Sequence, residues 1–523
     1  MKSRSKYSAL NIAAGVGGQI IEMILRVVNR TIFIQCLSTE YLGVNSLFTE
    51  IITMLSLAEL GIGSAISFAL YKPLKDNDKV KISALMQLYK KAYTYIGVAI
   101  GAVGLLLIPF LDKIVKDPGV LKGQVAFIYL FFLFNTVQSY FLTYKSTLLV
   151  ADQKNFIVRG AKELFAIART VIQIPVLIFT KNFFLYLAVE SIMLFINNVA
   201  VLVYVNKKYP YINQKEYMGS LDKSTKKSIW TNIRALFLVK VSTLLVNSTD
   251  NTIISIIGGI KEVGFYSNYA LLLNTATVLI NQVFGNISSS VGNLNAEGDL
   301  SKSYQVFKAI HMANYWLYSW LSIGFIIMAN PVIELWIGRD YRLPYYVVII
   351  IGLNAYFIGL QNAVWVFKDT FGLFKYGKYM SLVTAALNIG LSFGLGKLWG
   401  LFGILAASAI SRLLTGIWYD PYALYKHGFM RKDILKYYLE YLLCFVLALC
   451  TYFATYYLCG LIILENFIVQ TVIQFIIACI VPNAIYLAVF FRTKTFKYLV
   501  GMIKNTVNQL LAGRKNGKST SGI

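Results

Sequence analysis

Two polar stripes stand out in a chain that is otherwise mostly apolar. Gln19, Glu22, Arg26 and Arg30 fall at i, i+3, i+7 and i+11 within one apolar stretch, so a helix there carries a continuous polar face. Lys240, Thr243, Asn247 and Asn251 repeat that spacing further on, with Asp250 adjacent. A cation in the centre of a bilayer costs about 2.5–3.5 kcal/mol even on insertion scales, so such faces need a wet cavity or a partner helix. Arg26, Arg30 and Lys240 outnumber their nearest acids, which favours a cavity. A guanidinium grips phosphate bidentately and never titrates, so Arg26 and Arg30 suit an anionic pyrophosphate group. The plainer alternative is a structural ion pair of Glu22 with Arg26, with Asp250 neutralising Arg30 or Lys240.

Other charges at depth read differently. Lys145, Arg169 and Arg412 lie near helix ends, where they are expected to snorkel. Glu22, Glu59, Glu190, Asn247, Asp250 and Asn251 are cavity or coupling candidates, the acids as binding groups for H⁺ or Na⁺; helix-end hydrogen bonding is the competing reading for Glu50 and Glu59. Amides such as Asn354 and Asn388 line a cavity or glue helices together.

The elements that position these groups are membrane helices. Of 523 residues, 57% are hydrophobic and 14% charged, where a soluble protein is nearer ~25% charged; mean hydropathy is +0.62. About 20 apolar residues make a span. Fourteen are expected, near 10–36, 43–70, 92–111, 125–149, 164–180, 183–205, 231–257, 264–292, 309–330, 344–367, 380–396, 398–418, 437–459 and 466–490. The fold class is therefore an all-α integral membrane protein. With the N-terminus inside, inner segments hold 35 of the 49 Lys and Arg residues and outer segments 8. That asymmetry places both termini in the cytoplasm. It also assigns most of the +25 net charge to topology, and apolar runs interrupt every basic cluster, so nucleic acid is not an expected partner.

The chain also repeats itself. Asn29-Arg30-Thr31-Ile32 leading to Gly43-Val44-Asn45-Ser46 is matched 221 residues later by Asp250-Asn251-Thr252-Ile253 leading to Gly264-Phe265-Tyr266-Ser267. Pro109-Phe110-Leu111-Asp112 has its counterpart, at an offset of 222, in Pro331-Val332-Ile333-Glu334. Six spans separate the copies, and an even number means parallel units: two pseudo-symmetric six-helix bundles. The expected organisation is a bundle at 1–208, a basic linker at 209–229, a second bundle at 230–427, two additional spans within 428–493, and a basic amphipathic tail at 494–523. On this plan the two cationic stripes face each other across the bundle interface.

Several chemistries find no support in the residues. Cys36, Cys444, Cys450, Cys459 and Cys479 form no CxxC pair, and His311 and His427 are far apart, so no metal site or cofactor is expected. No GxxxxGK[ST] motif is present. Outer loops are short, which argues against a membrane glycosyltransferase or polymerase, so the chain is not expected to be an enzyme.

Three stretches carry a resemblance: Tyr41-Leu42-Gly43-Val44-Asn45-Ser46-Leu47-Phe48, Leu57-Ala58-Glu59-Leu60-Gly61-Ile62-Gly63-Ser64-Ala65-Ile66, and Leu70-Tyr71-Lys72-Pro73-Leu74. Together with Gly264-Phe265-Tyr266-Ser267 and the fourteen-span plan, they resemble the Wzx-type polysaccharide flippases of the multidrug/oligosaccharidyl-lipid/polysaccharide superfamily. The resemblance implies transport of undecaprenyl-diphosphate-linked oligosaccharide units across the bacterial cytoplasmic membrane for surface polysaccharide assembly. It implies membrane lipids as surroundings, and polysaccharide polymerase and chain-length proteins as partners. By position it assigns the diphosphate to Arg26 and Arg30, with Lys240. The related lipid II flippases carry a basic residue early in the second span, where this chain has Asn45 and Glu50, which weighs against a peptidoglycan substrate. The alternatives are a drug/cation antiporter of the same superfamily, which wants a net-acidic cavity, or a non-transporting glycosyl-transfer enzyme or scaffold.

Overall fold

The computed structural model describes residues 21, 23–56, 62–217, 219, 221, 223, 227, 230, 249–373, 376–502 and 504. Every regular element among them is helical. Nine of these helices are long and apolar enough to cross a membrane. Glu22, Glu59, Lys240 and Asn247 lie outside the described residues.

Apolar surface facing outward shows what solvates the chain. In Asn155–Thr180 and in Phe467–Phe490, only 17% of the most apolar window is buried within the protein. Phe179 is 86% exposed. Water does not tolerate such a continuous hydrocarbon surface; lipid does.

Contacts divide the chain into two compact units, Met1–Ser267 and Asn268–Ile523. The first contains α1 (23–36), α2 (Thr39–Leu55), α3 (Ile62–Asp76), α4 (Lys79–Leu107), α5 (Leu111–Ile114), α6 (Val125–Thr143), α7 (Ser146–Ala151), α8 (Asn155–Thr180), α9 (Phe183–Lys208), α10 (Asp250–Gly258) and the start of α11 (Ile260–Ala296). The second holds the rest of α11, then α12 (Leu300–Ile337), α13 (Tyr345–Thr370), α14 (Lys378–Leu414), α15 (Gly416–His427), α16 (Ile434–Gly460), α17 (Phe467–Phe490) and α18 (494–502).

Matching local chemistry starts the corresponding helix in each unit. Asp78 caps α4 by accepting from the Lys81 N–H, and 221 residues later Asp299 caps α12 by accepting from the Lys302 N–H. The residue before each cap has positive φ, Asn77 at 54° and Gly298 at 81°. Each unit also has an apolar hairpin that turns on a left-handed residue, Lys181 between α8 and α9 and Gly400 within α14. At Gly400 the helix doubles back: Asn388 donates to Ser408 at 2.8 Å and the Thr384 and Thr415 hydroxyls meet at 2.7 Å, pairings centred near Gly400. One helical stretch thus supplies the two spans expected at 380–396 and 398–418.

The cations expected to snorkel are instead held by the protein. Lys145 is only 7% exposed, and its ammonium donates to Asn206 at 2.5 Å and Asn213 at 2.8 Å. Arg169 pairs with Glu190 at 3.0 Å, and Arg412 is 8% exposed. Snorkelling suits helices whose ends face lipid; these ends face other parts of the chain that supply acceptors or cover. The deep amides act as glue: Asn314 donates to the Gly359 carbonyl and Asn354 to that of Leu405, each at 2.8 Å.

Candidate functional site in the first unit

The polar cluster of the first unit is built on α1, α2, α10 and the start of α11. On α1, Asn29 donates to the Tyr186 hydroxyl at 3.0 Å and to Gln173 Oε1 at 3.4 Å, which fixes the helix against α8 and α9. The next residue, Arg30, therefore points elsewhere, and its guanidinium donates to Ser267 Oγ. Ser267 passes its own proton to the Gly264 carbonyl at 2.7 Å, so its oxygen is available to accept from the arginine. Arg26, one turn earlier, is exposed.

The same unit also holds a carboxylate region. Glu50 Oε1 accepts the Asn251 backbone N–H at 3.3 Å in the first turn of α10, the helix-end hydrogen bond considered for this residue. Asp250 opens the same turn and lies close enough to repel the Glu50 carboxylate. The Oδ1 atoms of Asn29 and Asn251 are buried without a protein partner among the described residues. Arg30, Asp250 and Asn251 are thus brought into one unit with Glu50, whereas Glu190 is in its ion pair with Arg169. Ser267 was not singled out from the sequence, although it ends the repeated Gly-x-x-Ser motif.

Above the cluster the helices touch by symmetry of the repeat. A Cβ on Gly43 would lie 2.1 Å from the Ile260 carbonyl oxygen, and one on Gly264 would lie 2.6 Å from the Thr39 carbonyl oxygen. Gly43 with Gly264 and Thr39 with Ile260 are both mates at the 221-residue offset, so the contact is reciprocal, as at a two-fold axis. Glu40 and Lys261, again mates, form an ion pair at 3.2 Å. Burial pushes the Glu40 carboxyl up, but hydrogen bonds from Ser38, its own backbone and Lys261, with the Lys261 charge, outweigh it and leave it below its ordinary value. The Lys116 ammonium donates to the Ile257 carbonyl at 2.7 Å and Ser255 to that of Ile114 at 2.6 Å, completing a tightly tied helix end.

The second unit contributes an apolar cavity of 250 Å³ among α12, α13 and α16, lined by Ile323, Ile326, Tyr356, Phe445 and Phe453 among others. It can take hydrocarbon. Among the described residues, no three His, Cys, Asp or Glu side chains form a group able to hold a metal ion.

No family model matches the chain, and no curated protein sequence does. Solved structures do. A structure of the lipid II flippase MurJ in an inward closed conformation superposes with a TM-score of 0.64 at 13% identity, covering 92% of this chain and 99% of that one. An inward-facing multidrug resistance transporter of the MATE family gives 0.57 at 14% identity, over 78% and 96%. A variant of the Vibrio cholerae MATE transporter VcmN gives 0.52 at 13%, over 82% and 99%. At such identities the likeness establishes the fold alone, one shared by the flippase MurJ and by MATE transporters of the MOP superfamily.

Proposed function

We propose that this chain, which has the fold of that superfamily, is a Wzx-type flippase. It moves undecaprenyl-diphosphate-linked oligosaccharide units across the bacterial cytoplasmic membrane by alternating access, for assembly of a surface polysaccharide. The observation that carries this reading is Arg30, a guanidinium deep in the first span that donates to a hydroxyl of the repeated motif within a polar cluster. A guanidinium carries a permanent charge and a planar fork of donors that matches a diphosphate. MurJ, whose fold the chain shares, acts on a lipid-linked substrate, and the apolar cavity of the second unit suits a lipid tail.

In this reading Arg26, Arg30 and Lys240 bind the diphosphate. Asp250 and Asn251, with Glu22, Glu59, Glu190 and Asn247, serve the cavity or a coupling ion, H⁺ or Na⁺. Polymerase and chain-length proteins take the sugar onward at the outer face, and both termini lie in the cytoplasm. Replacing Arg26 and Arg30 together by Ala should leave the protein in the membrane, abolish surface polysaccharide and cause lipid-linked sugar to accumulate on the inner leaflet. Normal export by that variant removes the arginines from the mechanism. The neighbouring Glu50 and Asp250 carboxylates support a second reading, drug/cation antiport, which efflux of a cationic dye from energised vesicles would favour.

A further inference from the structure

A second polar space in the first unit is built from other residues. It lies among α3, α4 and the α6–α7 junction, with a volume of 440 Å³, inside the range of ~300–1,000 Å³ usual for small-molecule sites. Helical spacing assembles it: Tyr89 and Tyr93 stand one turn apart on α4, and Thr143, Ser146 and Thr147 share one face across the junction. Among the described residues, no lining side chain is acidic or basic.

The direction of the hydrogen bonds selects the ligand. Thr143 donates to the Ser139 carbonyl and Ser146 to the Thr143 carbonyl, both at 2.7 Å, and Thr147 donates to the Tyr89 hydroxyl at 3.2 Å. Each of these hydroxyls has one proton and two lone pairs, so with the protons spent inside the protein they offer acceptors. A group that bonds to these three must bring its own O–H or N–H donors. The Ser67, Tyr71, Tyr89 and Tyr93 hydroxyls share the lining, so the space mixes donors and acceptors, which a sugar hydroxyl, itself both, matches better than a phosphate or carboxylate, which only accepts. Lys145, the adjacent cation, is already held by Asn206 and Asn213 and does not make this an anion site.

Two further features suit a sugar ring. The Tyr89 and Tyr93 rings are nearly fully buried and meet edge to face with centroids 4.3 Å apart, giving a rigid aromatic wall. Gly63 leaves the space before them open, since a Cβ there would stand 3.0 Å from the Tyr89 hydroxyl oxygen and 3.5 Å from that of Tyr93. We propose that this cavity is a subsite for a neutral saccharide unit, whose hydroxyls donate to Thr143, Ser146 and Thr147 beside the tyrosine wall. That the sugar arrives joined to a lipid diphosphate rests on the proposed function; the preference for a neutral hydroxyl donor does not.

The test uses the full chain in lipid nanodiscs, with the methyl glycosides of glucose and N-acetylglucosamine as probes and inorganic pyrophosphate as the anionic comparison. Saturation-transfer NMR should detect a glycoside, and Gly63→Leu and the near-isosteric Thr147→Val should each weaken it by about tenfold or more while pyrophosphate binding is unchanged. Absence of any glycoside signal from the wild-type chain, or equal binding by Thr147→Val and by a correctly folded Gly63→Leu, overturns the proposal. In cells, full export by both variants in a deletion strain that the wild-type chain rescues overturns the subsite and leaves the flippase reading standing. A deletion strain without accumulated lipid-linked sugar overturns the flippase reading instead, and the nanodisc titration then decides the subsite alone.

Discussion

The reciprocal glycine contact has a quantitative consequence for the first unit. In Gly43→Ala the new Cβ stands 2.1 Å from the Ile260 carbonyl oxygen, and ordinary contact begins at 3.4 Å, so α2 and α11 must part by about 1.3 Å. The blocking atom is backbone and cannot rotate away. In Gly264→Ala the distance to the Thr39 carbonyl is 2.6 Å, and the required retreat is smaller. Overpacking of this kind costs about 1–3 kcal/mol, which moves an equilibrium by roughly 5- to 150-fold. If the contact belongs to one state of the proposed alternating-access cycle, that cost depopulates that state; if it is permanent, the cost appears as lost stability. Gly43→Ala should exceed Gly264→Ala. The double variant should fall short of the sum, because one retreat makes room for both methyl groups. Accessibility to an impermeant thiol reagent, read at a single cysteine replacing the fully buried Ile260 in a cysteine-free background, reports opening, and thermal unfolding in detergent reports stability. If Gly43→Ala alters neither, the contact is not as close as the structure has it and the reasoning is wrong.

Two further perturbations probe other parts of the argument. Gly400 has φ 57° and ψ −138°, and a non-glycine residue in such a region costs about 1–3 kcal/mol; Gly403→Ala would drive a Cβ to 2.0 Å from the Leu395 carbonyl oxygen. Both should lower the melting temperature and membrane abundance. Gly390→Ala and Gly394→Ala, with nothing within 4 Å of the added atom, should not, and equal loss in all four would refute the hairpin. For Glu40, a carboxyl held below its ordinary value adds stability that is complete above about pH 4.3 and is lost as pH falls through the lower folded value. Lys261→Ala removes part of what holds it down, so the acid loss should be smaller and should level off at higher pH. Its amplitude should stay within about 1 kcal/mol because Lys261 is 63% exposed; superimposable melting curves for wild type and variant between pH 3 and 7 would contradict the pairing.

What the sequence made legible follows from how far each signal travels along the chain. Helices and their likely depth are local: a run of about 20 apolar residues declares itself, and an Asp cap with its N–H partner three residues on needs no tertiary knowledge. Partners are not local. Lys145 near a helix end reads as a snorkelling cation, and only the fold shows that Asn206 and Asn213, more than sixty residues away, turn inward to receive it. The same blindness hid Ser267 as the partner of Arg30 and the hydroxyl cavity, whose walls come from four helices.

One class of distant contact, however, is readable in principle. Near a pseudo-two-fold axis a residue meets its own repeat mate, so a pair search along the 221-residue offset should find contacts and not only similarities. At such positions the chemistry must suit self-approach. Two glycines allow backbones to touch, and opposite charges attract where identical ones would repel. Gly43 with Gly264 and Glu40 with Lys261 satisfy both conditions and are in contact. The glycines recur at the repeat offset; the charge reversal between positions 40 and 261 is the stronger signal, because a repeat that merely duplicated itself would keep the sign. Divergence from identity at the offset is therefore where contact between repeat mates leaves its mark.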